Sequence, residues 1–265
     1  AEYMGKSENF LVPKMLAVFD KTAAKCPEEL RSPSTSPPIS AIKDGFFSKE
    51  FESVNPHSIT VNLASSGILS YSSRATNPLL TRLFAVVDDI FCLFEGRIEN
   101  ITELKHLYGL SKSATEVIIV IEAYRTLRDR GPYPADQVVK GLSGKFAFIL
   151  FDSSTKTVFL GADADGCVPF FWGCDSEFNL VVGNDTETVK KLCGKSFAPF
   201  PKGCFFTSSA GLQSFEYPLN QLKPVPRVDS SGDVCGAGFQ VDEKSKKDTQ
   251  SMPRVGSSYN WSANY

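Results

Sequence analysis

The stretch Asp89–Leu110 (DIFCLFEGRIENITELKHLYGL) constrains the fold more than any other part of the chain. It opens with a run of strong β-formers, Ile90–Phe94, and the residues Glu95–Arg97 predict a sharp turn after that strand. Asn100 then predicts the capped start of a helix, which Gly109 ends. A strand, a turn and a helix in so short a segment predict a domain in which sheets and helices pack directly on one another.

Two hairpins are predicted nearby. Leu83–Val87 pairs with Ile90–Phe94 through a two-residue turn, and Gly144–Asp152 pairs with Thr157–Asp163. Shorter runs of β-formers predict further strands at Met15–Phe19, Ile59–Leu63, Ile68–Tyr71, Phe170–Trp172, Leu180–Val182, Cys204–Thr207 and Gln213–Tyr217.

The strongest predicted helix starts at Ser113, which forms a capping box with Glu116, and stops at Gly131. Shorter helices are predicted at Pro134–Leu142 and Thr186–Leu192. Many strands with grouped helices favour two antiparallel sheets flanked by helices over alternating βαβ units. The fold class is therefore predicted to be α+β.

Composition shifts divide the chain into three parts. Residues 1–14 are expected to be a tag or a processing remnant, 15–221 a single domain, and 222–265 a Pro-, Ser- and Gly-rich tail. The tail is expected to be disordered or to lie along the domain, held by Trp261 and Tyr265. The Pro- and Ser-rich segment Ser32–Ser40 is predicted to be a loop, and phosphorylation or partner docking there stays open.

Composition also excludes several classes of function. The chain has a formal net charge of −2, which gives no electrostatic footprint for nucleic acid or an anionic membrane. No run approaches the roughly 18 uninterrupted apolar residues of a membrane span. We find no glycine-rich phosphate-binding loop, and we expect no cofactor. Residues 1–14 lack the features of a secretory signal, so the expected location is the cytoplasm, with the nucleus as an alternative.

The chain contains seven cysteines and two histidines. The cysteines are dispersed and form no Cys-x-x-Cys pair, so we expect reduced thiols and no metal site. Cys26, before Pro27, is the thiol expected to be most sensitive to oxidation. The sequence Asp163-Ala164-Asp165-Gly166 is similar to the start of a calcium loop, but no glutamate follows at the required spacing, and a turn is predicted instead.

Two short motifs indicate a family. They are Tyr108-Gly109-Leu110 (YGL) and Leu127-Arg128-Asp129-Arg130 (LRDR). With these motifs the chain resembles the plant aluminium-induced proteins, which respond to stress and wounding, and the resemblance runs from Met15 to the C-terminus. For Arg128 and Arg130, two interpretations stay open: favourable charges at the end of a helix, or an anion site.

The segment Asp89–Leu110 also resembles class II glutamine amidotransferases, in which an Asn-Gly-Glu triplet follows a strand. This resemblance implies a sharper fold, the four-layer αββα sandwich of the N-terminal-nucleophile hydrolases. It also implies three catalytic positions. Leu16 stands where the nucleophilic cysteine belongs, Glu95 where the oxyanion-binding Asn belongs, and Ala114 where an Asp anchors the substrate ammonium.

These departures predict a scaffold without glutaminase activity. Leu16 has no nucleophilic atom, and an ionised Glu95 only accepts hydrogen bonds and would repel an oxyanion. The expected role is a stress-responsive module that binds a small ligand or a protein partner and forms a homo-oligomer, a dimer first. The residues expected at a pocket are Glu95, Gly96, Arg97 and Glu116.

An enzymatic alternative stays open. Glu95 can act as a general base if burial raises its pKa, and a second possibility is that it binds a cation. Glu116 has a structural interpretation as well, because a glutamate in that position closes a capping box.

Overall fold

The structure is a computed structural model that describes residues 14–33, 46–55, 58–72, 84–130, 135–230 and 232–246. The described helices are α1 (Phe46–Val54), α2 (Ile101–Leu107), α3 (Glu116–Arg130), α4 (Ala135–Lys140) and α5 (Thr186–Cys193). In this part of the chain, no helix combines the length and the apolarity that crossing a membrane requires.

The structure describes fourteen strands. They are β1 (Lys14–Phe19), β2 (Ile59–Asn62), β3 (Gly67–Ser72), β4 (Phe84–Val87), β5 (Ile90–Ile98), β6 (Gly144–Asp152), β7 (Thr157–Ala162), β8 (Phe171–Cys174), β9 (Leu180–Gly183), β10 (Phe197–Pro199), β11 (Cys204–Thr207), β12 (Gly211–Ser214), β13 (Asn220–Val228) and β14 (Val234–Lys246).

Two six-stranded antiparallel sheets form the centre of the molecule. Sheet I has the strand order β10-β8-β9-β1-β3-β2, and sheet II has the order β12-β11-β7-β6-β5-β4. Half of the neighbouring pairs in these two sheets are hairpins of consecutive strands, which need only local sequence to form. A separate two-stranded ribbon pairs β13 with β14.

Three apolar layers hold the sheets and helices together. The layer between the two sheets includes Phe19, Leu93, Ile149 and Trp172. The outer face of sheet II packs on α2, α3 and α4 through a layer that includes Phe94, Val117, Phe146 and Val139. The outer face of sheet I packs on α1 and α5 through a layer that includes Leu16, Phe47, Phe51 and Val189. The order helix, sheet, sheet, helix confirms the predicted α+β, four-layer αββα sandwich.

Both predicted hairpins are confirmed. In the first, Val87 lies opposite Ile90, and in the second β6 pairs with β7. Strand β5 nevertheless continues past Phe94 to Ile98 and pairs with β6 over its whole length. The predicted turn at Glu95–Arg97 is therefore wrong, because β6 supplies backbone partners for these residues and keeps them in the strand.

Asn100 precedes α2 as predicted, but its side chain does not cap the helix. The amide nitrogen donates to the carbonyl of Gly141 at 2.8 Å, and the amide oxygen accepts from the backbone N–H of Ser143 at 3.0 Å. Asn100 thus ties the start of α2 to the turn that precedes β6, and the capping prediction is corrected to this role.

The capping box at Ser113 also differs from the structure. Helix α3 begins at Glu116 rather than directly after Ser113, whose hydroxyl lies 2.9 Å from that of Ser111. Serine hydroxyls compete for local partners in turns as readily as they cap helices. Glu116 is therefore the first residue of the helix.

Within the sandwich, two elements were not predicted from the sequence. Helix α1 carries Phe47 and Phe51 one turn apart, and their rings are buried and stacked with centroids 6.4 Å apart. The i, i+4 spacing of these two phenylalanines is typical of a helix with one apolar face, so the sequence did contain a signal for α1. Strand β10 has only three residues, too few for a recognisable pattern. The strand predicted at Gln213–Tyr217 forms earlier, as β12.

The described part of the predicted tail is ordered into the β13–β14 ribbon. The ring of Phe239 in β14 lies 5.7 Å from the indole of Trp172, which belongs to the layer between the sheets. The ribbon, which ends at Lys246, therefore packs against the domain. Trp261 and Tyr265 lie outside the described residues, as does most of the Ser32–Ser40 segment.

Cys26 and Cys174 form a disulfide with their Cα atoms 5.9 Å apart, which corrects the prediction of fully reduced thiols. This separation lies within the range that a disulfide spans. The two residues are 148 positions apart, so no local pattern links them. The bond joins the loop after β1 to the end of β8. The cysteines at positions 92, 167, 193, 204 and 235 are free.

Candidate functional site

Glu95 is a buried carboxyl group near the end of β5. Side chains alternate along a strand, and the neighbouring Phe94 faces the helices while Leu93 faces sheet I. Glu95 shares the face of Leu93 and therefore points into the space between the two sheets. Burial of a carboxylate is costly unless another group compensates it.

Asn184 supplies that compensation from sheet I. Its side-chain Nδ2 donates a hydrogen bond to Oε2 of Glu95. Its Oδ1 accepts from the backbone N–H of Met15 at 2.9 Å, and its own N–H donates to the Met15 carbonyl at 3.2 Å. Asn184 thus links β5 of sheet II to the beginning of β1 in sheet I.

Lys14 and Asp185 complete the cluster. The Lys14 ammonium lies 2.7 Å from Oδ1 of Asp185, which also caps α5 by accepting the backbone N–H of Thr188 at 3.1 Å. Burial alone would raise the pKa of Asp185, but the hydrogen bonds from Lys14 and Thr188 outweigh it and lower this pKa. Asp185 therefore stays ionised and fixes the position of the lysine.

The pKa of Glu95 is raised to about 7. Burial is the main cause, while the hydrogen bond from Asn184 and the positive charge of Lys14 act in the opposite direction. Near neutral pH the group therefore exists in both protonation states. The ionised form only accepts hydrogen bonds, whereas the protonated form also donates one.

This arrangement is suited to exchanging a proton or to holding a cationic or hydrogen-bond-donating group. It is poorly suited to stabilising an oxyanion, which needs donors aimed at a developing negative charge. The side-chain amide of Asn184 is such a donor, but its hydrogen bond goes to Glu95.

Leu16 lies apart from this cluster. It pairs with Ser70 and Gly183 within sheet I, and its side chain is buried against the helical side of that sheet together with Val189. Glu95 lies on the opposite face of sheet I, where Asn184 links it to the backbone of Met15. The predicted nucleophile position thus contributes only to the core.

Glu116 and Ala114 lie on the other side of sheet II. Glu116 is the first residue of α3, which packs on the outer face of β5, and Ala114 precedes that helix. Sheet II therefore separates Glu116 from the carboxyl group of Glu95. Gly96 and Arg97 follow Glu95 in β5 and are both exposed. A pocket shared by Glu95, Gly96, Arg97 and Glu116 stays a prediction.

Asn184, Lys14 and Asp185 were missed by the sequence analysis. Asn184 is 89 positions from Glu95. The sole local signal is the pair Asn184-Asp185 between a strand and a helix, which is also typical of an ordinary helix cap.

The motif YGL ends α2. Gly109 adopts a positive φ of 64°, and the N–H of Leu110 donates to the carbonyl of Lys105 at 2.8 Å. Tyr108 and Leu110 pack on the layer between sheet II and its helices. This is the geometry of a glycine-terminated helix with an apolar contact after it.

The motif LRDR anchors α3 to sheet II. Arg128 pairs with Asp129 at 2.7 Å and reaches the buried Asp152 at 3.3 Å. The hydroxyl of Tyr124 donates to the same Asp152 at 3.0 Å. These contacts support a structural role for Arg128. Nothing is described of the Arg130 side chain.

Asp163, Asp165 and Cys167 place their ligand atoms within 4.8 Å of one another. The Asp163 carboxylate already accepts backbone N–H groups from Phe146, Asp165 and Cys167 at 2.9 to 3.2 Å. It therefore holds the turn after β7, as the sequence predicts.

The order helix, sheet, sheet, helix defines a class of protein, the four-layer αββα sandwich. Within this class, residues 16–241 match the family model described as aluminium induced protein, and the chain belongs to that family. The predicted resemblance is confirmed.

Three curated relatives match parts of this chain. The stem-specific protein TSJT1 of Nicotiana tabacum is 43% identical over 147 residues, which cover 55% of this chain and 99% of that protein. Asparagine synthetase B [glutamine-hydrolyzing] of Escherichia coli strain K12 is 26% identical over 44% of this chain. Asparagine synthetase [glutamine-hydrolyzing] of Bos taurus is 31% identical over 43%. The matched parts are only 20% and 19% of the two synthetases.

Among solved structures, a glutamine phosphoribosylpyrophosphate amidotransferase from B. subtilis aligns with a TM-score of 0.46 and 14% identity, covering 79% of this chain and 44% of that chain. A glutamine aminotransferase class-II domain protein from Silicibacter pomeroyi aligns with a TM-score of 0.37 and 10% identity, covering 76% and 93%.

Proposed function

We propose that this protein is a stress-responsive plant scaffold that does not hydrolyse glutamine and instead binds a small ligand or a protein partner. The observation that carries the proposal is the position of Glu95. A carboxyl group stands where the resemblance expects the oxyanion-binding amide, and Asn184 is hydrogen-bonded to it rather than available to a substrate.

The energetic argument is direct. Removing a single oxyanion-hole donor typically costs about 3 kcal/mol of transition-state stabilisation, and an ionised carboxylate adds repulsion to that loss. The covalent step has no nucleophile either, since Leu16 is an apolar residue in the core of sheet I. Each defect alone impairs the reaction, and they lie in different elements.

Intact-protein mass spectrometry during incubation with L-glutamine tests this proposal. A covalent amidotransferase mechanism passes through a glutamyl adduct on the protein, and we expect none on this chain. An adduct that survives the Glu95→Ala change would show a nucleophile elsewhere and refute the proposed lack of covalent chemistry.

The proposal extends to assembly and location. We infer a homodimer in the cytoplasm or the nucleus, with no nucleic-acid partner. The near-neutral net charge of −2 supports the last point. Sedimentation equilibrium tests the dimer, and a monomer mass across the accessible concentrations would reject it.

The raised pKa of Glu95 favours a second candidate function, acid–base catalysis by this residue. A group with a pKa of about 7 both gives and takes a proton at neutral pH, which is the range that general acid–base catalysis needs. Asn184 holds the carboxyl group in one orientation, as such a role requires.

The Glu95→Gln variant separates the two candidates, because the amide keeps the shape and the contact to Asn184 but cannot exchange a proton. Hydrolysis of a panel of activated esters and amides that this change abolishes, with thermal unfolding unaffected, would favour the enzyme. An equal rate in the parent and the variant would eliminate it.

A further inference from the structure

A cavity of about 370 Å³ lies at the far end of β1 from Glu95. Its lining combines three cationic side chains with one acidic and one aromatic side chain. They are Lys21, Lys25, Arg31, Glu28 and Phe178, together with Cys26. β1 spans five residue steps between the two sites, roughly 16 Å at 3.3 Å a residue.

The charges in this cavity do not cancel. Lys25 pairs with Glu28 at 2.9 Å, and the charge of Arg31 also acts on this carboxylate, so three cationic side chains share one acidic side chain among the lining residues. The cavity thus carries an excess of positive charge in a protein whose formal net charge is −2. Such a local excess favours an anionic ligand.

Arg31 and Phe178 add shape to this charge. The guanidinium carbon of Arg31 lies 4.1 Å from the centroid of the Phe178 ring. Stacking uses the face of the guanidinium and leaves the N–H groups on its edge for an oxyanion. Phe178 keeps 41% of its surface exposed, so apolar ring surface remains for a ligand.

The backbone of Phe178 is strained to present that ring. Its φ is +70°, a conformation that bulky residues rarely adopt. Two buried neighbours hold it there: Asp175 accepts the backbone N–H of Asn179 at 2.9 Å and the Asn179 side chain at 2.9 Å. Such strain persists only where the surroundings over-determine it, and it is common at binding sites.

The two walls of the cavity are also fixed to each other. The disulfide of Cys26 joins the loop after β1 to the end of β8. Lys25 and Asn179 form a β-bridge, and the side chain of Asn179 accepts the backbone N–H of Lys21 at 3.3 Å. Because the backbone of the two walls is already fixed, ligand binding costs little backbone conformational entropy.

We propose that this cavity binds a small organic oxyanion, a carboxylate or a phosphate ester, whose acidic group contacts Arg31 and Lys21 and whose apolar part covers Phe178. This inference specifies the class of ligand for the binding role proposed above. It does not depend on the lack of glutaminase activity, because Glu95 belongs to a separate cluster at the opposite end of β1.

Isothermal titration of the full chain with phenyl phosphate, benzoate and inorganic phosphate at constant ionic strength tests the site. We expect saturable binding of an aromatic anion that is tighter than that of inorganic phosphate. Tighter binding of phenyl phosphate would identify a phosphate ester, and tighter binding of benzoate would identify a carboxylate. Arg31→Gln should weaken binding about tenfold or more, as loss of a charge-assisted hydrogen bond does, with Lys112→Gln as a matched control.

Glu28 gives a test of opposite sign. Glu28→Gln frees the charge of Lys25 and should tighten binding by about two- to fivefold, the strength of an exposed ion pair, whereas Glu29→Gln should not. This result cannot arise from a folding defect. No saturable binding to the parent, or equal affinity in the parent and Arg31→Gln, would overturn the proposal whatever the glutaminase assay shows.

Discussion

Glu95 and Asn184 form a hydrogen bond that crosses from one sheet of the sandwich to the other. Glu95 belongs to β5 in sheet II, and Asn184 follows β9 in sheet I and also binds the backbone of Met15. The contact joins the two sheets and satisfies a buried carboxyl group whose pKa is raised. The pH prediction and the central claim about glutaminase activity follow from it.

The first prediction concerns pH. Because folding raises the pKa of Glu95 from 4.5 to about 7, its protonation stabilises the native state below pH 4.5, and this contribution is lost as the pH rises through 7. Relative to Glu95→Gln, the parent should lose roughly 2–3 kcal/mol of unfolding free energy between pH 5 and pH 8. Urea unfolding at the two pH values measures this loss.

Glu103→Gln is the matched control, since Glu103 is exposed in the first turn of α2. It should change stability by the same small amount at both pH values. A parent and a Glu95→Gln variant with parallel pH profiles would show that the carboxyl group of Glu95 is not perturbed.

A second prediction concerns Gly96, which keeps β5 close to β6. Its φ is +112°, and a Cβ atom there would lie 2.0 Å from the carbonyl oxygen of Lys145. Gly96→Ala should therefore destabilise the fold by about 3 kcal/mol or more, as measured by urea unfolding. Gly109→Ala is the control, because nothing lies within 4 Å of its Cβ position, and its positive φ should cost only about 1 kcal/mol. Equal losses would refute the close approach.

The third prediction separates the two aspartates that contact Arg128. Asp152 is buried and accepts hydrogen bonds from Tyr124 and from the backbone and hydroxyl of Ser154. Asp152→Asn should cost about 2–4 kcal/mol of unfolding free energy. The reason is that the amide places an N–H donor where a carboxylate oxygen now accepts hydrogen bonds. Asp129→Asn should cost much less than Asp152→Asn, since Asp129 is exposed. Thermal denaturation of both variants measures the two costs, and similar costs would contradict the claim that the buried Asp152 is the more important partner of Arg128.

The fourth prediction concerns the disulfide. Thiol titration of the unfolded, unreduced protein should find five reactive groups, and reduction should raise this number to seven. Cys26→Ser should lower the unfolding free energy by about 2–4 kcal/mol, the usual contribution of a native disulfide. Cys167→Ser removes an exposed free thiol and should be neutral. Seven thiols before reduction would mean that Cys26 and Cys174 remain separate.

The sequence predicted those features of the fold that depend on near neighbours. The β4–β5 and β6–β7 hairpins and the stop of α5 at Gly194 follow from residues a few positions apart. Layer order also followed, because it combines local strand patterns with a family resemblance. The turn at Glu95–Arg97 was wrong because pairing with β6, some fifty positions away, overrides a local glycine signal.

The site was harder to predict because its partners are distant in the chain. The sequence identified Glu95 but not Asn184, and it could not show that Leu16 faces the core. The same limit applies to the disulfide of Cys26, whose partner is 148 residues away. A sequence indicates which residue types are present, whereas the juxtaposition of sheets I and II determines which of them meet.

The lack of glutaminase activity is the central claim, and ammonia release from L-glutamine by the purified full chain tests it most directly. The Glu95→Ala variant is the comparison, because it removes the carboxyl group and leaves the strand in place. We predict no release above that variant at any pH between 5 and 8. Sustained release that depends on Glu95 would contradict the account and show that the fold retains the reaction by another mechanism.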